Sequence, residues 1–203
     1  GIVKYEPEMS ASLAGDAKGP FPSRITKTDE MRLQSYPALL QEFQDKDVYI
    51  TQKIDGSSTT ISCIRGEIDV CSRNLSLKET EGNTYWEVNR KYGITDKLLD
   101  IYNKTGQSYA VQGEAHGEGI QKNRLGIKGH ELAVFNVYDI DNDIRLDYAD
   151  FLNFCNTLGL IVVPILYVGP FMWTTVDEMI ELAKGKYGNG HHQEGIVIRP
   201  LKG

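Results

Sequence analysis

The chain has 203 residues, enough for one domain with a short attachment. Its 22 Lys and Arg against 28 Asp and Glu give a net charge of −6, which argues against a broadly basic coat on DNA but allows a local basic groove. No stretch approaches the ~20 apolar residues of a membrane span, so no membrane association is expected. The 3 cysteines lack zinc-ligand spacing and form no disulfide pattern, which predicts an intracellular setting, cytoplasmic or nuclear.

Residues 1–20 are rich in proline and glycine and poor in large apolar side chains, which is typical of a linker or the tail of an upstream domain. We expect the folded domain to span residues 21–203. No signal-peptide pattern opens the sequence. Its first residue is Gly1 rather than Met, so we expect the sequence to be a piece of a longer protein.

The first half of the folded part predicts a short helix and several antiparallel strands. Pro37 favours a helix over 38–43. The β-branched stretches 48–54 and 59–64 flank the turn Asp55-Gly56-Ser57 and predict a hairpin, with 67–72 as a third strand. Residues 84–104 predict two helices broken at Gly93, the second capped by Thr95 and ended by Gly106.

The second half of the folded part also predicts strands with helices between them. We expect strands over 109–115, 132–140, 161–168 and 194–199. Asp147 begins a helix that ends at Gly159, and Thr175 with Glu178 forms a capping box for a helix ending near Gly185. Strands in hairpins with helices inserted at intervals predict an α+β fold of antiparallel β-sheets with flanking helices, not a βαβ chain.

Lys53 carries the first chemical signal, because it ends a predicted strand just before the Asp55-Gly56 turn. A neutral lysine amine is a nucleophile. An ordinary lysine is almost entirely protonated near neutral pH, so catalysis needs a nearby cation or desolvation, and a bound metal ion supplies such a field. The motif is short, and a surface lysine before a turn is the alternative interpretation.

Four further segments favour a catalytic role for Lys53 over a surface position, because of their order and spacing. Ser72-Arg73-Asn74 closes the third strand, a Gly-rich run covers 113–121, and the strands 135–140 and 194–199 each carry an acid. The chain here resembles the covalent nucleotidyltransferase superfamily, the ATP-dependent ligases and mRNA capping enzymes. Its motif I is similar to Lys53-Ile54-Asp55-Gly56, its motif Ia to Ser72-Arg73-Asn74, its motif III to 135–140 and its motif IV to 194–199.

Within that superfamily, the chain is most similar to ATP-dependent RNA ligases. The 113–121 run is similar to the phage-type RNA ligase branch. Residues 21–34 resemble the lead-in of RNA ligases whose nucleotidyltransferase domain follows an N-terminal OB domain, as in the Naegleria and Deinococcus enzymes. The resemblance covers about residues 21–200 and implies a ligase-type nucleotidyltransferase (adenylation) domain.

The resemblance implies that Lys53 attacks the α-phosphorus of ATP and holds AMP as a covalent lysyl-AMP. The AMP then passes to an RNA 5′-phosphate, and an RNA 3′-hydroxyl displaces it to seal the strand. Asp55 and Glu194 are implied to hold Mg²⁺ or Mn²⁺, with Asp139 as a third acid. The expected partners are therefore RNA ends, ATP and a divalent ion, and a monomer is expected.

The resemblance also assigns nucleotide contacts. Arg73 holds the ribose or a phosphate, Glu114 accepts a hydrogen bond from a ribose hydroxyl, and Tyr138 stacks on adenine. Arg32 meets the departing pyrophosphate. The complete set assigned to nucleotide binding is Gln52, Ile54, Arg73, Glu114, Tyr138 and Arg32.

Other interpretations of these residues stay open. Tyr138 on an alternating strand is equally typical of a core aromatic, Arg73 of a surface ion pair, and Glu114 of a backbone cap. The basic run Lys122, Arg124 and Lys128 fits RNA phosphates or a solvated face. At the level of function, the alternatives are an ATP-dependent DNA ligase core, a capping guanylyltransferase, or a non-catalytic nucleotide- or RNA-binding module.

The chain departs from the family at its end. Motif V, a Lys-x-Lys strand, follows motif IV in the family, whereas this sequence stops nine residues after Glu194. Because motif V lysines bind the α-phosphate, we expect the isolated chain to bind nucleotide but to adenylylate itself roughly 10²–10³ more slowly.

Overall fold

A computed structural model describes residues 15–202, and within them the strands form a seven-stranded and a three-stranded antiparallel sheet. A short 3₁₀ helix covers Leu33–Ser35. The elements in chain order are β1 (Ala17–Pro20), α1 (Leu39–Phe43), β2 (Asp47–Lys53), β3 (Ser57–Ile64), β4 (Glu67–Cys71), β5 (Leu75–Leu77), α2 (Thr84–Tyr92), α3 (Ile94–Thr105), β6 (Tyr109–Gly117), β7 (His130–Asp139), β8 (Ile144–Arg145), α4 (Tyr148–Thr157), β9 (Ile165–Pro170), α5 (Val176–Ala183) and β10 (Gly195–Pro200).

The large sheet has the strand order β1-β5-β4-β3-β6-β7-β8. Helices α2, α3 and α4 cover one of its faces, where side chains such as Leu98 and Phe151 are almost fully buried against Ile61 and Val111. Each such side chain stabilises the fold by about 1.5–3 kcal/mol relative to an exposed one. The α+β class predicted from the sequence is confirmed.

The small sheet has the order β10-β2-β9, so β2 is its central strand. Val48 and Ile50 of β2 are fully buried and pack with Leu40 of α1 and Met179 of α5. A central strand needs partners on both edges, and β2 finds them in β9 and β10.

The predicted hairpin of 48–54 with 59–64 is wrong, although both strands exist. β2 pairs only within the small sheet, while β3 pairs with β4 and β6 in the large one. The Asp55-Gly56 turn therefore carries the chain from one sheet to the other. Glycine is required there, because a Cβ on Gly56 would lie 2.3 Å from the Ala115 carbonyl oxygen.

Other local predictions fared differently. Gly93 and Gly106 both adopt the left-handed conformation that ends α2 and α3, and the capping box of Thr175 and Glu178 is present, as predicted. The N-cap of α3 is Gly93 rather than Thr95, because the Thr95 hydroxyl instead accepts a hydrogen bond from Asn89.

The N-terminal segment and one strand boundary also differ from the sequence-based expectation. Residues 17–20 of the expected linker form β1, the edge strand paired with β5. Residues 15 and 16 precede this strand, and residues 1–14 lie outside the described residues. The strand expected from 161 begins at Ile165. In residues 15–202, no helix combines the length and the apolar character needed to cross a lipid bilayer.

Candidate active site

Lys53 lies at the end of β2, where the small sheet meets the turn toward the large one. Its register partner in β10 is Gly195, so Glu194 directly precedes the paired region. The Lys53 Nζ donates a hydrogen bond to the Glu194 carboxylate, and both side chains are partly open to solvent. The nucleophile and one predicted metal ligand are therefore in contact.

Glu114 faces this pair from β6 of the large sheet, opposite Ser58 of β3. Burial is the largest influence on the pKa of Glu114 and raises it to about 8. The positive charges of Lys53 and Arg73 act to lower this pKa, and the negative charges of Glu194 and Asp55 act to raise it. These electrostatic contacts place Glu114 among the other four groups. A carboxyl whose pKa is raised in this way can, when it is protonated, donate as well as accept a hydrogen bond.

Asp55 follows Lys53 by two residues and is mostly buried. Its Oδ2 atom has no hydrogen bond, although the Arg124 Nε lies 2.9 Å away and attracts it by charge without being aligned as a donor. Arg124 is anchored through its carbonyl oxygen, which accepts a hydrogen bond of 2.7 Å from Asn189. The loop between β6 and β7 thus reaches across to the turn beside Lys53.

The sequence-based assignment missed Arg124 as a partner of Asp55 and missed Tyr187 altogether. Arg124 belongs to a recognisable basic run, but nothing in its spacing indicates which acid it meets. The Tyr187 hydroxyl bonds to backbone atoms of Lys53, Asp55 and Glu194. A single tyrosine between a helix and a strand carries no motif, so only the fold reveals this contact.

Arg73 lies in the turn between β4 and β5 and forms an exposed ion pair with Asp29. The segment that contains Asp29 crosses the open face of the large sheet, where the Thr28 hydroxyl bonds to that of Ser58 at 2.6 Å. The next residue, Glu30, pairs with the buried Arg199 of β10. This lead-in segment therefore spans from the large sheet to the small one beside the site.

Gln52 and Ile54 are placed as supports of Lys53 rather than as open contacts. Gln52 is buried and its Nε2 donates to Gln193 Oε1 at 2.6 Å. Ile54 is buried against Ala133 and Val163. Their side chains face the protein interior, and the assignment of these two residues to nucleotide binding stays a prediction.

Tyr138 lies on the same face of the large sheet as Glu114, because it opposes Ala110, which precedes Glu114 by four residues in β6. Its ring is buried, and its hydroxyl bonds to Asp143 and to Thr26 at 3.2 Å. Thr26 and its neighbour Ile25 cover the ring. Stacking of a base on Tyr138 therefore requires movement of this covering segment.

Asp139 is not brought to Lys53. Asp139 pairs with Tyr109 in register, five positions from Glu114, a separation of roughly 17 Å along a strand. Its buried carboxylate accepts hydrogen bonds from the backbone of Asp141 and Asn142, so it closes a turn. This corrects the prediction of Asp139 as a metal ligand. Arg32 is exposed at the start of the 3₁₀ helix.

The remaining acids fit a hydrated divalent ion. Among residues 15–202, no three His, Cys, Asp or Glu side chains form a ready-made metal cluster. Mg²⁺ keeps several waters and is often held by one or two carboxylates. Asp55, with a buried oxygen free of hydrogen bonds, and Glu194, partly open to solvent, supply such a set.

Comparisons with known proteins agree with this arrangement. A family model described as RNA ligase matches residues 46–203. A Naegleria gruberi RNA ligase structure, a lysine-to-alanine mutant with ATP and Mn, is 32% identical with a TM-score of 0.89, covering 98% of this chain and 59% of that one. A lysine-to-methionine mutant of the same enzyme with AMP and Mn is 31% identical with a TM-score of 0.87, covering 99% and 60%. No curated protein matches the chain.

The two antiparallel sheets, with a lysine and carboxylates where they meet, define a ligase-type nucleotidyltransferase domain. The family match covers most of the sequence, and the chain belongs to the RNA ligase family. It spans about three fifths of the length of the Naegleria gruberi structures that it matches.

Proposed function

We propose that this chain is the adenylyltransferase domain of an ATP-dependent RNA ligase. The observation that carries the proposal is the contact of Lys53 with Glu194, with Asp55, Glu114 and Arg73 around it. A lone surface lysine before a turn explains none of these neighbours. The similarity to RNA ligase structures with ATP or AMP and Mn supports the same conclusion.

In the proposed first step, Lys53 Nζ attacks the α-phosphorus of ATP. A nitrogen–phosphorus bond forms, the bond from the α-phosphorus to the bridging oxygen breaks, and pyrophosphate leaves with the bonding electrons. Lys53 attacks as the neutral amine, and the proton that its nitrogen releases as the new bond forms passes to water. Glu194 accepts the hydrogen bond from Nζ and so orients the amine. Phosphoryl transfer depends mainly on such positioning and on charge neutralisation.

The later steps use RNA ends. The AMP passes from Lys53 to an RNA 5′-phosphate, and an RNA 3′-hydroxyl then displaces AMP to close the strand. Lys122 and Lys128 lie on the same loop as Arg124 and are exposed, which suits them to meet RNA phosphates.

Asp55 and Glu194 would hold a hydrated Mg²⁺ or Mn²⁺ in this proposal. Such an ion neutralises negative charge on the α-phosphate when it is bound. The Naegleria gruberi structures with Mn support a divalent ion as the cofactor. The residues of this chain contribute the two carboxylates and the adjacent Lys53 amine.

The nucleotide contacts are proposed along the face of the large sheet. Glu114 would bond to a ribose hydroxyl, Arg73 would hold the ribose or a phosphate, and Tyr138 would stack on adenine. Arg32 would meet the pyrophosphate. Arg73 can use the N–H donors that its ion pair with Asp29 leaves open, whereas Ile25 must leave the Tyr138 ring before a base can stack on it.

We further propose that the protein acts inside the cell as a monomer. The three cysteines, Cys63, Cys71 and Cys155, are free and buried, which suits a reducing compartment. Light scattering of the purified protein tests the monomer, and a stable dimer would contradict it. Localisation of the tagged protein in its own cells tests the compartment, and secretion would contradict it.

Strand sealing tests the proposed function. The protein is incubated with ATP, Mn²⁺ or Mg²⁺ and nicked duplexes whose 3′-hydroxyl strand is RNA or DNA. Sealing of the RNA substrate alone or preferentially is expected. Preferential sealing of DNA would contradict the RNA assignment, and labelling by GTP rather than ATP would indicate a capping-type enzyme. Absence of nucleotide attachment and sealing would contradict the enzymatic proposal.

A further inference from the structure

Tyr187 occupies a central place behind the candidate active site. It lies between α5 and β10, and its side chain is buried within a cluster that includes Ile54. Its hydroxyl donates a hydrogen bond of 2.7 Å to the Lys53 carbonyl oxygen. The Tyr187 hydroxyl oxygen in turn accepts hydrogen bonds of 3.2 Å from the backbone N–H groups of Asp55 and Glu194.

These three bonds use the full capacity of a phenol, which has one donor and two acceptor positions. They also reach backbone groups that the strands leave unpaired. The ladder of β2 with β10 ends at the pair Lys53 and Gly195, so Asp55 and Glu194 lie beyond it. The Tyr187 hydroxyl thus joins the ends of two strands that no further ladder bond connects.

The tyrosine is itself held rigidly in place. Its backbone N–H donates to the His191 carbonyl oxygen at 2.8 Å, and its own carbonyl oxygen accepts from Gly190 at 2.8 Å. Its ring packs against Ala133 and Val163.

We propose that Tyr187 is a positioning residue that fixes the Lys53 nucleophile relative to the carboxylates of Asp55 and Glu194. This inference rests on the proposed function of these three residues. Tyr187 acts through their backbone and does not touch the reacting atoms. Without the hydroxyl, two partly buried N–H groups lose their acceptor, and the turn at Asp55 and the start of β10 become free to move apart.

The first test compares Tyr187→Phe with Tyr167→Phe. Tyr167 is a matched control because its hydroxyl also donates to a backbone carbonyl at 2.7 Å, that of Pro170, away from Lys53. Lysyl-AMP formation is measured in single turnovers over a range of ATP concentrations. We expect the maximal rate to fall about 10- to 100-fold in Tyr187→Phe, since small misplacements are costly in such reactions. The half-saturating ATP concentration should change little, and Tyr167→Phe should match the parent.

Amide hydrogen exchange without ATP provides a second readout that does not depend on activity. The Asp55 and Glu194 amides should exchange faster in Tyr187→Phe and as in the parent in Tyr167→Phe. Unchanged exchange at both amides would overturn the proposal, as would a lower melting temperature with an unchanged maximal rate. If the parent itself forms no lysyl-AMP, the proposed function fails, while the exchange data still decide whether Tyr187 anchors these two residues.

Discussion

The Lys53 amine donates a hydrogen bond to the Glu194 carboxylate, although the two residues are 141 positions apart in the sequence. The antiparallel pairing of β2 with β10 creates this contact, because it sets Lys53 opposite Gly195. A shift of one residue in that register would turn every side chain of the strand to the other face. The candidate chemistry therefore depends on a pairing between the start and the end of the domain.

Glu114→Gln should change how stability depends on pH. The folded-state pKa of about 8 lies above the reference value of 4.5, so the folded protein retains a proton that the unfolded chain has already released. The free energy of unfolding of the parent should therefore fall as pH rises from about 4.5 to 8. Glutamine does not ionise, so the advantage of Glu114→Gln over the parent should grow across this window.

Urea denaturation of both proteins between pH 5 and 9, without divalent ions, measures this difference. Glu67→Gln is a suitable control because Glu67 is exposed on β4. If the free energies of unfolding of Glu114→Gln and the parent differ by the same amount at all pH values, the pKa of Glu114 is not raised by burial.

Arg124→Gln should increase the affinity of the site for divalent ions. The Arg124 guanidinium lies beside Asp55 and partly neutralises it, so its removal leaves more negative charge for a cation. We expect a lower Mn²⁺ concentration for half-maximal lysyl-AMP formation. Lys122→Gln removes the same charge from an exposed site on the same loop and should have a smaller effect. Equal effects of the two variants would indicate that net charge, not the contact with Asp55, sets the Mn²⁺ requirement.

Tyr138→Ala should weaken ATP binding if Tyr138 stacks on adenine. Base–aromatic stacking contributes about 1–3 kcal/mol, so the dissociation constant should rise correspondingly. Tyr138→Phe keeps the ring but loses the hydroxyl that bonds to Asp143 and Thr26. It should therefore retain most of the affinity. Calorimetric titration with ATP decides the matter, and unchanged affinity of folded Tyr138→Ala would assign the ring to the core alone.

Gly56→Ala should destabilise the fold at the turn between the two sheets. The new Cβ would lie 2.3 Å from the Ala115 carbonyl oxygen, so the backbone of β3 or β6 must shift. Overpacking of this kind typically costs about 1–3 kcal/mol. Gly19→Ala is the control, because a Cβ there meets no atom within 4 Å. Equal unfolding midpoints for the two variants would contradict this account of the turn.

The sequence predicted much of the fold where the signals are local. The glycines that end helices at 93 and 106 and the capping box at Thr175 act within a few residues, so they can be recognised in sequence. Sheet membership cannot be recognised that way. Two β-branched strands around an Asp-Gly turn are typical of a hairpin, and only their outer partners, β10 and β6, draw them into different sheets.

In the candidate active site, too, the sequence predicts some residues from local motifs and misses those that depend on long-range contacts. Lys53, Asp55, Glu114 and Glu194 were identified from motif spacing, and the structure brings them together. Asp139 was predicted as a metal ligand, but its position in a motif does not tell whether its carboxylate faces the site or closes a turn. Arg124 and Tyr187 reach the site through loops whose path depends on the whole fold.

Intact mass after incubation with ATP and Mn²⁺ tests the central claim most directly. The parent and Lys104→Ala, which changes an exposed lysine of α3 paired with Asp100, should each gain one adenylyl group. Lys53→Ala should gain none while keeping the circular dichroism spectrum of the parent. An adenylyl group on Lys53→Ala, or one mapped to another residue of the parent, would contradict the assignment of Lys53 as the nucleophile.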